Sequence, residues 1–404
     1  MVSVPLHRQP PFALFWTSRV FGSLAFQMAS VAFGWLIYDM TGSAYQLGFA
    51  GLAQFLPMVL LTFVVGAVAD RWDRRRIVMI SQWVQALTIG ALTVGALQGW
   101  LGVNGLFAGL AILGAARTFE RPAMAALLPS LVSARELPRA VALSSSAMQT
   151  ATIVGPSLGG LLHALGAAVP LGLSAALFAL GALAMAPVRL RTPPAPREPM
   201  TWRAAFSGLG FVRRKPVLLG AISLDMVAVL LGGVTALLPI FAKDILETGP
   251  WGLGVLRTAP AIGALAMAMV IGRLDLSRAV GAKMFVAVIV FGLCTIVFAA
   301  SSHLWLSVGA LVILGAADNV SVVIRQTLVQ LATPDEMRGR VSALNSLFIG
   351  ASNQLGEFES GMTAGLMGVV AAGILGGVGT IAVALAWMRL FPSLRHADRL
   401  DGVK

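Results

Sequence analysis

Apolar residues in this chain arrive in long blocks of similar size, separated by short polar breaks. Each block runs about 18–25 residues with few charges, the length a helix needs to cross a hydrocarbon core roughly 30 Å thick. The pattern predicts twelve spans, at about 12–38, 46–69, 77–98, 102–126, 140–163, 168–187, 217–241, 252–272, 283–301, 304–327, 341–362 and 367–390. A soluble protein with long buried helices would need charged outer faces, which these blocks lack. The first block is long and has no small-residue cleavage site, so it is expected to be a retained helix rather than a signal peptide. The expected class is an all-α membrane protein.

The longest polar stretch, "RLRTPPAPREPMTWRAAFSGLGFVRRKP", falls between the sixth and seventh blocks. Its prolines and basic residues mark a linker, with a surface helix expected in its second half. The expected organisation is therefore a six-helix bundle over residues 1–187, a linker over 188–216, and a second six-helix bundle with a short tail over 217–404. Internal similarity supports a duplication. "ELPRAVALSSS" (136–146) resembles "EMRGRVSALNS" (336–346), and "GPSLGG" (155–160) falls opposite "GEFESG" (356–361), with bracketing glycines at matching positions. Parallel six-helix repeats meeting around a central cavity are a transporter architecture.

Charge changes the picture by its placement. A net charge of +12 could suggest nucleic acid, but the basic residues cluster in short breaks between apolar blocks. Of the 29 Lys and Arg, only Lys243 and Arg257 fall by the breaks on one side and four fall inside spans, leaving 23 on the other side. By the positive-inside rule that asymmetry puts both termini and the linker in the cytoplasm. A mean hydropathy of +0.85 leaves no room for a sizeable soluble domain. The single cysteine, Cys294, excludes an intrachain disulfide. His7, His163, His303 and His396 show no metal-ligand spacing, and no nucleotide-binding loop is present, so neither metal nor cofactor is expected. The G-x-S-x-G match at Gly155–Gly159 needs a strand-to-helix elbow to be a hydrolase site. Here it sits inside an apolar span, where small residues and a proline read as close packing. The methionines and phenylalanines read as lipid-facing or helix-packing positions, and Trp35, Trp100, Trp251 and Trp305 fit an interfacial belt.

Charges inside the spans carry the candidate chemistry, since each costs roughly 2.5–3.5 kcal/mol at mid-membrane and needs a partner, a water path or a proton. They are Arg19, Arg117, Glu120, Arg121, Asp225, Asp318, Arg325, Glu357 and Glu359. Arg117, Glu120 and Arg121 fall near the cytoplasmic end of the fourth span, and Asp318 and Arg325 in the cytoplasmic half of the tenth. These read as an ion-pair network with a gating role. Asp225 lies about 14 Å into the seventh span, near the midplane, and Arg19 at a similar depth in the first. The expectation is that Asp225 and Arg19 face a cavity and interact, with Asp225 carrying substrate or proton. Glu357 lies ~25 Å along the eleventh span if that helix begins near Arg340. Glu359 is ~200° around from it, so the two glutamates cannot share a face. Glu357 is expected at an outer gate and Glu359 to be a local structural acid.

The break after the second span reads Gly66, then Asp70-Arg71, then Arg74-Arg75-Arg76. It resembles the loop signature of the major facilitator superfamily, with Asp73 where a second glycine is usual. "GPSLGG", with Gly155, Pro156, Gly159 and Gly160, resembles the antiporter motif of that superfamily's proton-coupled exporters. "DRWDRRR", "ERPAMAALLPSLV" and "LGEFESG" together look like the branch of enterobactin exporters and macrolide-efflux proteins. The resemblance implies two six-helix bundles working by alternating access. It also implies Asp70 docking near the start of the eleventh helix, at Arg340-Val341-Ser342, to close the cytoplasmic side. Two departures accompany it: Gln27 stands near where relatives carry an acid in the first helix, and Gly272 stands where the second half would repeat Asp70. The activity implied is proton-coupled export of a small amphipathic compound, a siderophore or a drug-like molecule, from a bacterial cytoplasmic membrane. The expected partners are that substrate, protons and the lipid bilayer, with a monomeric chain, no nucleic acid and no enzymatic step. An importer or facilitator of an organic solute is the alternative within transporters. A non-transporting sensor fits the topology but has no need of midplane charges.

Overall fold

Proline opens the first helix and glycine closes it. In α1 (Pro10–Thr41) a proline occupies the first turn, where its missing N–H costs nothing. Gly42 then takes a left-handed conformation, φ +59°, and its N–H donates to the Tyr38 carbonyl at 2.8 Å. The computed structural model describes residues 6–189, 209–271, 273 and 279–395, apart from a few side chains inside helices, among them Gly66, Asp70 and Arg71. Most of the expected linker lies outside the described residues, which resume in a helical segment over 209–214.

The chain continues through α2 (Ala44–Arg71), α3 (Arg74–Gln98), α4 (Val103–Leu131), α5 (Leu137–His163) and α6 (Ala168–Met185). Beyond the linker come α7 (Pro216–Leu231), α8 (Gly249–Ile271), α9 (Val280–Ala300), α10 (Leu304–Ala332), α11 (Asp335–Met367) and α12 (Val369–Leu390). No strand occurs among the described residues. Among the described residues, nine stretches could cross a membrane by length and composition: α1, the first part of α2, α3, α6, α7 continued by tight turns to Ile245, α8, α9, α10 and α12. The other long helices, α4, α5 and α11, are more polar, and α4 and α11 hold five of the nine charges expected inside spans.

Several helices outrun the apolar blocks that predict them. The largest difference is in α11, which begins at Asp335 rather than near Arg340. Arg340, Val341 and Ser342 are therefore inside the helix, where their N–H groups are bonded to carbonyls four residues back. They are not the start of the eleventh helix, the place at which the family resemblance has Asp70 docking. Polar residues can extend a helix beyond the hydrocarbon at no desolvation cost, so hydropathy alone misses such extensions.

Two compact units emerge. The first comprises Met1–Gly42, Ala53–Pro199 and Gly249–Thr258, and the second Ser43–Leu52, Met200–Thr248 and Ala259–Lys404. Within the first, α1 packs on α5 and α6, and α3 packs on α4 and α6. Within the second, α7 packs on α11 and α12, and α9 on α10 and α12, the same pairing six helices later. Phe15, Val78 and Leu127 fill a core in the first unit, and Leu224, Phe285 and Leu328 one in the second. Leu60, Leu97 and Met269 remain about 70% exposed, as lipid-facing positions should.

Candidate intramembrane charge sites

In the first unit the charged residues gather around Glu120 on α4. Its Oε1 accepts from Gln82 Nε2 at 3.0 Å and its Oε2 from Gln85 Nε2 at 2.7 Å, both on α3. Gln82 Oε1 in turn accepts from Ser18 Oγ on α1 at 3.0 Å. The network is possible because α1 carries Gly22 at the contact. A Cβ there would stand 3.0 Å from Gln82 Nε2 and 3.4 Å from Glu120 Oε1. Arg19, Arg117 and Arg121 all lie in the field of Glu120. Arg117 sits over the Phe26 ring, its guanidinium carbon 3.3 Å from the centroid, a cation–π contact.

In the second unit Arg325 Nη1 on α10 and Asp225 Oδ2 on α7 form an ion pair at 2.6 Å, with both side chains almost wholly buried. The pairing of Asp225 with Arg19 expected from depth alone is thus replaced by a pairing with Arg325. A carboxylate at nearly the same depth has many azimuths open to it, and helix packing selects the partner. Asp318 lies seven residues before Arg325, two turns along the same face of α10. With Asp225, Ser321 and Phe291 it lines a cavity of about 20 Å³, room for roughly one water. Ser321 Oγ is buried there without a hydrogen-bond partner. The charges expected in one gating network therefore divide: Arg117, Glu120 and Arg121 belong to a cluster with α1 and α3, and Asp318 and Arg325 to one with α7.

The α5 motif is a packing surface with two sides. A Cβ on Gly155 would reach 2.5 Å from Gln27 Cβ, and one on Gly159 would reach 2.9 Å from the Met28 carbonyl oxygen, both on α1. Gly160 and Pro156 face the other way, toward Pro250 and Gly254 at the start of α8. Nearby, Ser157 Oγ and Thr258 Oγ1 share a 2.7 Å hydrogen bond. Arg257, a loop-flanking charge on sequence grounds, is inside α8 and donates to Ser30 Oγ of α1 at 2.6 Å.

In α11 the bracketing glycines repeat this plan. Gly356 packs on the carbonyls of Val229 and Leu230 in α7, and Gly361 meets Gly48 in the first turns of α2. Glu357 lies against Gly51 of α2, where an added Cβ would be 3.0 Å from Oε2. Glu359 instead accepts from Thr363 Oγ1 at 2.8 Å, one turn on in the same helix. At the α2–α3 break, Asp73 caps α3, accepting from the Arg75 N–H at 2.9 Å, which accounts for an acid where the superfamily signature has glycine. Arg75 donates to the carbonyls of Ala186 and Val188, and Arg74 is buried. The side chains of Gly66, Asp70 and Arg71 lie outside the described residues.

A family model described as "transmembrane secretion effector" matches residues 3–403. The chain belongs to that family. It is a transporter of the major facilitator superfamily, not an enzyme, with an all-α fold and a multi-pass membrane disposition. Among curated relatives, the multidrug efflux pump Tap of Mycolicibacterium fortuitum is 31% identical over 355 residues, covering 84% of this chain and 85% of its own. The enterobactin exporter EntS of Salmonella typhi is 26% identical over 403 residues, covering 97% and 94%. Among solved structures, a bacterial homologue of the iron transporter ferroportin in an inward-facing state aligns with a TM-score of 0.72 at 17% identity, covering 96% of this chain and 98% of that one. A bacterial homologue of the human lysosomal transporter Spinster, inward-facing and unoccupied, aligns with a TM-score of 0.69 at 13% identity, covering 98% of both.

For a secretion-effector carrier the residues missed by the sequence reading are as informative as those it found. Gln82 and Gln85 are fully buried on α3, and Ser18 on α1. Two glutamines three residues apart in an otherwise apolar helix were a usable signal, because a buried amide needs partners. Ser321 and Phe26 carried no such signal; only the packing brings them to the charges.

Proposed function

We propose that this chain is a proton-coupled exporter of a small amphipathic compound, a siderophore or a drug-like molecule, in the bacterial cytoplasmic membrane. The observation that carries the reading is the buried Asp225–Arg325 pair with Asp318 and a water-sized cavity beside it. The pair is neutral by itself, and the second carboxylate gives the site one uncompensated negative charge. A proton neutralises that charge, and moving it through a potential of 100 mV releases about 2.3 kcal/mol, enough to bias a two-state carrier. Asp225 is the coupling residue, released from Arg325 when it takes the proton. Glu357 serves an outer gate against α2, and Glu359 stabilises its own helix. The latch on the cytoplasmic side uses the signature Gly66, Asp70, Arg71, Arg74 and Arg75.

Export rather than import is supported by the names of the relatives and by the helix-five motif. In this reading both termini lie in the cytoplasm, which the 23 Lys and Arg on one side support. Residues 1–187 and 217–404 act as the two halves of an alternating-access monomer, joined by 188–216. The test is efflux from proteoliposomes with an imposed pH gradient, screened over siderophores and dyes. The expected result is gradient-dependent flux that Asp225→Asn abolishes. Flux indifferent to pH removes the proton, and no flux for any cargo removes the exporter.

A further inference from the structure

The cluster on α1, α3 and α4 carries more positive charge than the protein neutralises. Three guanidiniums, Arg19, Arg117 and Arg121, lie in the field of one carboxylate, Glu120. Both oxygens of that carboxylate are already occupied by the amides of Gln82 and Gln85. Among the described residues none of the three arginines has a carboxylate within salt-bridge distance. Arg117 leans on the Phe26 ring instead, and Arg19 Nε is buried without a hydrogen-bond partner. The balance is two uncompensated positive charges inside helices of a membrane carrier. Glu120 is a scaffold here, tying α4 to α3 and through Gln82 to α1, while Arg19 keeps a buried donor unused. Arg117 and Arg121 are one turn apart on one face of α4, so their forks can converge on one ligand. Guanidinium forks match planar oxyanions bidentately.

We propose that Arg19, Arg117 and Arg121 form a binding site for the negatively charged, oxygen-rich end of an organic cargo, with the half-buried Phe26 as a platform for an aromatic body. This rests on the transporter reading and narrows it: the cargo is an acid, a carboxylate or phenolate, rather than a lipophilic cation. The second unit's cluster has the opposite balance, two aspartates and one arginine, and so leaves the anion to the first unit.

The test uses the full chain in phosphatidylcholine nanodiscs and two dyes on one xanthene scaffold, anionic fluorescein and cationic rhodamine 123, read by fluorescence anisotropy. Saturable fluorescein binding is expected, weakened about tenfold or more by Arg117→Gln and by Arg19→Gln, and partly restored by Arg117→Lys. A monodisperse elution profile for each variant guards against misfolding, and the wild-type comparison of the two dyes needs no variant. Rhodamine 123 binding as tightly as fluorescein, absent fluorescein binding, or fluorescein binding untouched by both substitutions would overturn the proposal. An anionic lipid headgroup offers similar chemistry, so loss of fluorescein binding when phosphatidylglycerol is added would reassign the cluster to lipid and overturn the cargo site. The parent reading is tested separately. Gradient-driven efflux of rhodamine 123 but not fluorescein sinks the anion site and leaves the exporter standing. Fluorescein binding with no flux of any cargo does the reverse.

Discussion

Asp225 and Arg325 hold each other in a site almost closed to solvent, and the asymmetry of what surrounds them decides what substitution does. Removing Arg325 leaves the buried Asp225 and the half-buried Asp318 without a cation. Removing the charge of Asp225 leaves Arg325 with Asp318 still in its field. Breaking a buried pair from one side costs about 3–5 kcal/mol when a charge is stranded. Arg325→Gln should therefore destabilise the purified protein by about that amount, and Asp225→Asn by clearly less, as measured by thermal unfolding at neutral pH. Equal losses would show that Asp318 does not interact with Arg325. On the first-unit side, Gln82→Leu strips a buried amide from Glu120 and should cost about 1–3 kcal/mol, read by the same assay. A neutral outcome there would mean that water replaces the amide.

At the scale of helices, glycine placement decides which backbones touch. Gly159 brings α5 so near α1 that an added Cβ would stand 2.9 Å from the Met28 carbonyl oxygen and 3.0 Å from its Cα. Backbone cannot yield as a side-chain tip can. Gly159→Val is expected to cost about 1–3 kcal/mol from overpacking, seen as a lower unfolding temperature. Gly105→Ala is the matched control. Its Cβ would make only an ordinary contact at 3.6 Å with Leu101, and the change should stabilise α4 by about 0.4–1 kcal/mol. The same logic explains why "GEFESG" and "GPSLGG" correspond despite sharing little but glycine. Gly155 and Gly356 each seat their helix on the first helix of a six-helix set, α1 or α7. Gly160 and Gly361 each seat it on the second helix of the other set, α8 or α2. Between the glycines the side chains were free to diverge, to Pro156 and Ser157 in one case and to Glu357 and Glu359 in the other.

For the molecule as a whole, the arrangement of basic residues predicts which breaks face which side. With Cys294 replaced by serine, the chain has no thiol of its own. A cysteine at Gly102, where an added Cβ would meet nothing within 4 Å, should then react with a membrane-impermeant maleimide applied to intact cells. A cysteine at Trp72, 58% exposed in the α2–α3 break, should react only after the membrane is opened. The reverse pattern would invert the proposed topology, and with it the assignment of Glu357 to an outer gate.

Hydropathy by itself determined that this chain is a helical membrane protein, because a bilayer admits only apolar segments of a set length with their backbone bonds satisfied internally. Local spacing also pointed to the internal similarity, the family-level loop signature and the charges within apolar blocks, since each is a property of neighbouring residues. Partners were a different matter. Asp225 could be singled out by depth, but its pairing with Arg325 depends on how α7 and α10 rotate against each other, and depth carries no azimuth. Likewise Glu120 reads from the sequence as part of an ion-pair network with Arg117 and Arg121, whereas packing gives its oxygens hydrogen bonds from two glutamines on α3. The tertiary structure alone decided where charge is cancelled and where it is left over, because electrostatics acts over a few ångströms across helix interfaces that no single segment encodes.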